Sequence, residues 1–114
     1  MAKTEVSTSE VLQGVHEGLP ISTEATTSRT VVSNDAFRVV AFAMDRGLEL
    51  TDHSPPRPVV VHVDDGELTF TVGGDVRELT TGDVVYLAPG ARHSVVARTP
   101  CRFGLVMSMT PNSA

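Results

Sequence analysis

The rhythm of apolar positions changes at residue 36. Upstream, residues 1–35 are rich in Ser, Thr and Glu and hold no sustained period. One stretch there, "TSEVLQGVH" (8–16), fits a short helix with Ser9 as its cap. Downstream, apolar and polar residues alternate in short runs: "AFRVVAFAM" (36–44), "PVVVHV" (58–63), "ELTFTV" (67–72), "VVYLA" (84–88), "SVVA" (94–97) and "FGLVMSM" (103–109). A period of two is the signature of a half-buried strand. In "ELTFTV" it predicts Leu68, Phe70 and Val72 on a buried face and Glu67, Thr69 and Thr71 outside.

The runs are separated by "DRG", "DDG", "GGD", "TTGD" and "PGAR". These are turn sequences, because Gly tolerates positive φ and Asp bonds its own backbone. Gly66 and Gly82 are expected in turns, and "TVGGDV" reads as a hairpin connection rather than a phosphate cradle. No helix of useful length fits after residue 36, so the pattern predicts an antiparallel sandwich or barrel over 36–114, preceded by a polar extension, 1–35. Within that extension "RTVV" is β-branched and is expected to form an edge strand or a dimer arm.

Composition narrows the function classes. The chain has 114 residues, 40% hydrophobic and 20% charged, which suits one soluble domain. Its formal charge of −5, with nine basic residues scattered singly, argues against a nucleic-acid partner, which needs a basic stripe. The first residues carry no apolar run, so neither a signal peptide nor a membrane anchor is expected. A lone cysteine, Cys101, rules out an intrachain disulfide and points to a reducing, cytoplasmic setting. No dinucleotide-binding or Walker-type loop, nucleophile elbow or Cys-x-x-Cys pair occurs.

The histidines carry the candidate chemistry. His53 and His62 stand nine positions apart, and His93 follows in "LAPGARHS". With the glycines around them they resemble the two motifs of the small single-domain cupins. The first motif runs Gly, five residues, His-x-His, three or four residues, Glu, six residues, Gly; here Gly47, His53 and Gly66 fall into place. The second runs Gly, five residues, Pro-x-Gly, two residues, His, three residues, Asn; Gly82, Gly90 and His93 match, with Pro89 displaced by one. Fifteen residues, 67–81, separate the motifs, and the resemblance covers roughly 36–109.

That resemblance implies an all-β double-stranded β-helix, the jelly-roll barrel, with a divalent metal (Fe, Mn, Ni or Zn) held inside by three histidines and a glutamate. Of those four ligand positions this chain keeps His53 and His93, while Pro55 and Val59 replace the second histidine and the glutamate; outside the ligand set, Ala97 stands at the motif's final Asn. His62 is the candidate third ligand. Strand parity opposes it, since Val61 and Val63 share the face of Val59 while Val60 and His62 point the other way, unless a β-bulge intervenes. Cys101 is a softer alternative, with a buried structural thiol as its ordinary reading. His16, beside Glu17, is expected to be a solvated surface residue.

Two functions stay open from the sequence. One is a metal-dependent enzyme, by analogy a dioxygenase, isomerase or lyase acting on a small organic molecule. The other is a non-catalytic module that binds a small hydrophobic or aromatic acid. Either way the expected pocket mixes Val59, Val61, Phe70 and nearby Met side chains with His53, His93, Tyr86 and Arg38. A homodimer is expected through the N-terminal edge strand.

Overall fold

Nine strands condense from the alternating segments. The computed structural model describes residues 3–109, the side chains of Asp52 and His53 excepted. The strands are β1 (Thr27–Ser33), β2 (Phe37–Met44), β3 (Glu49–His53), β4 (Val59–Asp65), β5 (Glu67–Val72), β6 (Asp75–Thr80), β7 (Val84–Leu87), β8 (His93–Ala97) and β9 (Cys101–Ser108). They form a five-stranded sheet in the order β1-β2-β9-β4-β7 and a four-stranded sheet in the order β3-β8-β5-β6. All pairings are antiparallel. Only the β1–β2 and β5–β6 connections stay within one sheet; every other connection crosses to the opposite sheet, which winds the chain into a β jelly roll.

Alternation decides which side chains fill the space between the sheets. On β4, Val59, Val61 and Val63 are buried while Val60 and His62 face outward. On β5, Leu68 and Phe70 are buried, and both join the β4 valines, Val95, Leu87 and Phe103 in one core cluster. Gly66 makes the sharp link from β4 to β5 with φ +88°, and a Cβ there would collide with the Pro100 carbonyl and Cys101. Glycine is therefore required twice over, by backbone conformation and by space.

The N-terminal region behaves differently from its sequence pattern. The expected helix over 8–16 does not form; residues 9–14 are irregular and a turn follows at 15–18, with positive φ at Gly14 and Gly18. Val11 is 88% exposed and residues 8–14 are exposed throughout, so they bury no apolar face that would stabilise a single short helix. Residues 15–21 instead lie across the outside of the five-stranded sheet, where Leu19 packs with Val31, Ala41 and Ala43. β1 pairs with β2 at the edge of that sheet, so the sheet runs through the boundary at residue 35. Among the described residues no helix is long and apolar enough to cross a membrane.

Candidate functional site: an apolar cavity beside His93

Between the sheets lies a cavity of about 400 Å³. The five-stranded sheet supplies Phe42 from β2, Val59 and Val61 from β4, and Phe103, Leu105 and Met107 from β9. Their spacing of two on each strand is why one face of the sheet makes a continuous apolar wall. The four-stranded sheet supplies Leu50, Phe70 and Val95, with His93 nearer the loop that holds Ser54 and Pro55. Phe42 and Phe103 stack with centroids 5.0 Å apart and planes 8° from parallel, and Phe70 stacks on the His93 ring at 5.7 Å and 1°.

The polar end of the cavity is tied together by backbone bonds. Gly90 N–H donates to the Pro55 carbonyl at 2.8 Å, and the Ser54 hydroxyl donates to the Gly90 carbonyl at 2.9 Å. These contacts join the loop after β3 to the turn before β8, and so fix where His93 enters the strand. The His93 ring is set by its stack on Phe70 and by Nδ1–H donating to the Ala91 carbonyl at 3.3 Å. A carbonyl can only accept, so this contact places a proton on Nδ1.

The structure gathers Val59, Val61, Phe70 and His93 around this cavity. The backbone of His53 pairs with that of His93 across β3 and β8. The expected convergence of the two rings falls outside the described residues, because the His53 side chain does. Tyr86 and Arg38, expected on the wall, are not there. Tyr86 is the register partner of outward-facing Val60 and is 63% exposed, so it lies on the outer face of the sheet. Arg38 is the second residue of β2, exposed at the strand's end, where its charge stays hydrated.

His62, the candidate third ligand, faces outward as strand parity requires. Its Nδ1–H donates to Asp64 Oδ1 at 2.8 Å, and its ring lies over Gly104, where an added Cβ would sit 2.6 Å from the ring. His16 is not a solvated residue: its Nε2–H donates to Asp64 Oδ2 at 2.9 Å, and its Nδ1 is buried without a partner. Asp64 thus bridges two imidazoles on the outside of the barrel. Cys101 is fully buried beside the Gly66 turn and away from the cavity, and its burial, with the charge of Asp65 adding, pushes the thiol up to about 11. A protonated buried thiol is a packing residue rather than a ligand.

The cavity wall offers one imidazole, His93, and one hydroxyl, Ser54, among the described side chains. Pro55 and Val59 occupy wall positions without a donor to give. No three His, Cys, Asp or Glu side chains among the described residues could hold an ion. A first-row ion wants about three or four N, O or S ligands, so the described set does not fit one.

Sequence reasoning missed Phe42, Leu50, Ser54, Val95, Phe103 and Leu105 as wall residues. The signal for the β9 pair was present in the alternation of "FGLVMSM", which already aligned Phe103 and Leu105 with Met107. The signal for Ser54 was not, because its place depends on the Gly90 carbonyl, thirty-six residues away.

Residues 42–108 match the family model described as Cupin domain. No curated protein matches the chain. Among solved structures, a conserved protein of unknown function, SPY1581 from Streptococcus pyogenes, is 22% identical over 99% of this chain and 98% of its own, with a TM-score of 0.78. An RmlC-like cupin protein from Desulfovibrio desulfuricans is 21% identical, covering 89% and 98%, with a TM-score of 0.80. KdgF from Halomonas sp. is 21% identical, covering 77% and 83%, with a TM-score of 0.73.

Proposed function

The chain belongs to the cupin domain family, and from that premise we propose that its barrel holds one small, largely apolar organic molecule whose polar group meets His93. The observation that supports this reading is the lining of the cavity. Three phenylalanines, aliphatic side chains and Met107 surround it, with His93 and Ser54 together at one end. An apolar wall with a few convergent polar groups is the usual form of a small-molecule site. The imidazole suits a carboxylic acid or a phenol, accepting a proton from the neutral acid or phenol and donating to the carboxylate once protonated. A hydrophobic or aromatic acid satisfies both ends. The proposal is one of binding.

An NMR titration of the full chain with short alkyl and aryl carboxylic acids and phenols tests it. Shifts should concentrate on Phe42, Phe70, Phe103 and His93, and His93→Ala should weaken binding about tenfold, the worth of one hydrogen bond to a polar head (~1.4 kcal/mol). A panel that leaves those residues unmoved sinks the reading.

One observation favours a second reading, a metal held by two histidines: the backbone pairing of His53 with His93. Stoichiometric first-row metal in protein purified without an affinity tag, lost in the His53→Ala, His93→Ala double variant, would establish it. Metal-free protein would remove it.

For the assembly, we propose a homodimer that covers the exposed edge of β1, since an unpaired edge strand invites pairing. A monomeric mass by light scattering at micromolar concentration counts against it. The lone reduced thiol supports a reducing, cytoplasmic compartment.

A further inference from the structure

The two sheets separate at one corner. β6 ends at Thr80 and β7 begins at Val84, yet β6 is the outermost strand of the four-stranded sheet and β7 of the five-stranded sheet. The turn between them is pinned. Asp83 N–H donates to the Thr80 carbonyl at 3.0 Å, and Thr80 N–H donates to Asp83 Oδ2 at 2.8 Å. Gly82 N–H and the Asp83 carbonyl each bond Val63 of β4 at 3.0 Å. From that pin the strands diverge, leaving a groove of about 460 Å³ with Leu79, Val85, Val72 and Phe70 on its walls.

The inner face of β6 confirms that this seam is open. Residues 75, 77 and 79 pair with Val72, Phe70 and Leu68 of β5 and therefore share the face that points into the barrel. Two of the three are charged: Asp75 accepts from Arg77 Nε–H at 2.8 Å, and both side chains are exposed. An ion pair stands on the core side of an edge strand only where water reaches it. The groove is thus wet at its rim and apolar at its floor.

Phe70 lies between the two spaces. Of the described residues it alone lines both the inner cavity and the groove. It is 2% exposed, and its stack on His93 holds the ring in place. We propose that Phe70 is the partition that sets ligand length: with its ring in place an acid headed at His93 is confined to the inner cavity, and a smaller side chain at 70 joins the two spaces. A longer chain then continues past Leu79 and Val85 to the rim at Arg77. This rests on the ligand reading above and deepens it, since it assigns the native ligand to short or compact acids rather than long-chain ones.

Straight-chain carboxylates from butanoate to dodecanoate, titrated into the full chain, test the partition. In the unaltered protein affinity should rise about fourfold per buried methylene and stop rising once the inner cavity is filled. In Phe70→Ala the stop should move to acids at least three carbons longer. Phe70→Leu, the gentler change, serves if the alanine variant does not fold by circular dichroism. Phe103→Leu is the control, because it enlarges the same cavity without facing the groove; its stop should move by a carbon at most. Equal stops in the Phe70 and Phe103 variants overturn the proposal. If no acid binds the unaltered protein, the ligand reading fails, and xenon-pressurised crystals still decide the partition. Two separate xenon volumes that merge in the Phe70 variant support it, and volumes that stay separate overturn it.

Discussion

The two faces of the five-stranded sheet use histidine in opposite ways. On the inner face one imidazole among the described side chains, His93 from the opposing sheet, meets a wall of Phe42, Val59, Val61, Phe103, Leu105 and Met107. On the outer face two imidazoles, His16 and His62, are both committed to one carboxylate, Asp64. Arg102 reinforces that outer cluster, donating from Nη1 to the Leu19 carbonyl at 2.8 Å, so the N-terminal segment is fastened to β9 as well as β4. Histidine count therefore does not locate chemistry in this protein. What locates it is whether the ring faces a cavity or a carboxylate, and on a strand that turns on parity.

The contrast predicts unequal costs. Phe103→Ala, on the inner face, should destabilise by about 3–5 kcal/mol, because a buried ring stacked on Phe42 is replaced by a void that the sheet cannot close. Chemical denaturation should show a lower midpoint with an unchanged slope. Gly66→Ala should cost ~2 kcal/mol or more, since it combines a left-handed backbone with a collision against Pro100 and Cys101. Asp64→Ala, on the outer face, should cost only about 1–2 kcal/mol, the net worth of two hydrogen bonds at a half-exposed site. An Asp64 loss as large as that of Phe103 would erase the distinction between the faces.

The same contrast explains what could be read from sequence. The inner face was legible because its rule is local. Val59, Val61 and Val63, or Leu68 and Phe70, announce themselves by alternation, and the turn glycines mark where each strand stops. The direction of His62 followed from the same parity. The outer cluster was not legible, because His16 and Asp64 are forty-eight residues apart and meet only after the N-terminal segment has crossed the sheet. Its apolar contacts, Leu19 with Ala41 and Ala43, are too small and scattered to give a period. Tyr86 failed for another reason. Its hydroxyl suits it to the polar part of a pocket, yet its pairing with Val60 sets it outside.

Cys101 sharpens the inner face by its protons. Its thiol is raised to about 11 from an ordinary value of 9.0, first by burial and then by Asp65. The folded chain thus keeps a proton that the unfolded chain gives up above pH 9.0. The stability contributed by this group is complete below pH 9.0 and is lost as the pH climbs to about 11. Alkylation by iodoacetamide at pH 8 should be negligible in the native protein and complete in denaturant. Rapid native labelling would mean that the β4–β5 corner opens.

The smallest effect is expected at Tyr86. At 63% exposure it buries little area, and its ring lies beyond the sheet from the cavity. Tyr86→Ser should change stability by no more than about 0.5 kcal/mol, the usual range for a surface substitution. It should also leave the affinity of short carboxylic acids unchanged, because Phe70 closes the cavity before the groove that Tyr86 borders. This second expectation carries the weight. A loss of affinity in Tyr86→Ser would mean that bound molecules already reach the groove with Phe70 intact. The inner and outer sides of the barrel would then form one site, and the division between them would fall with the partition.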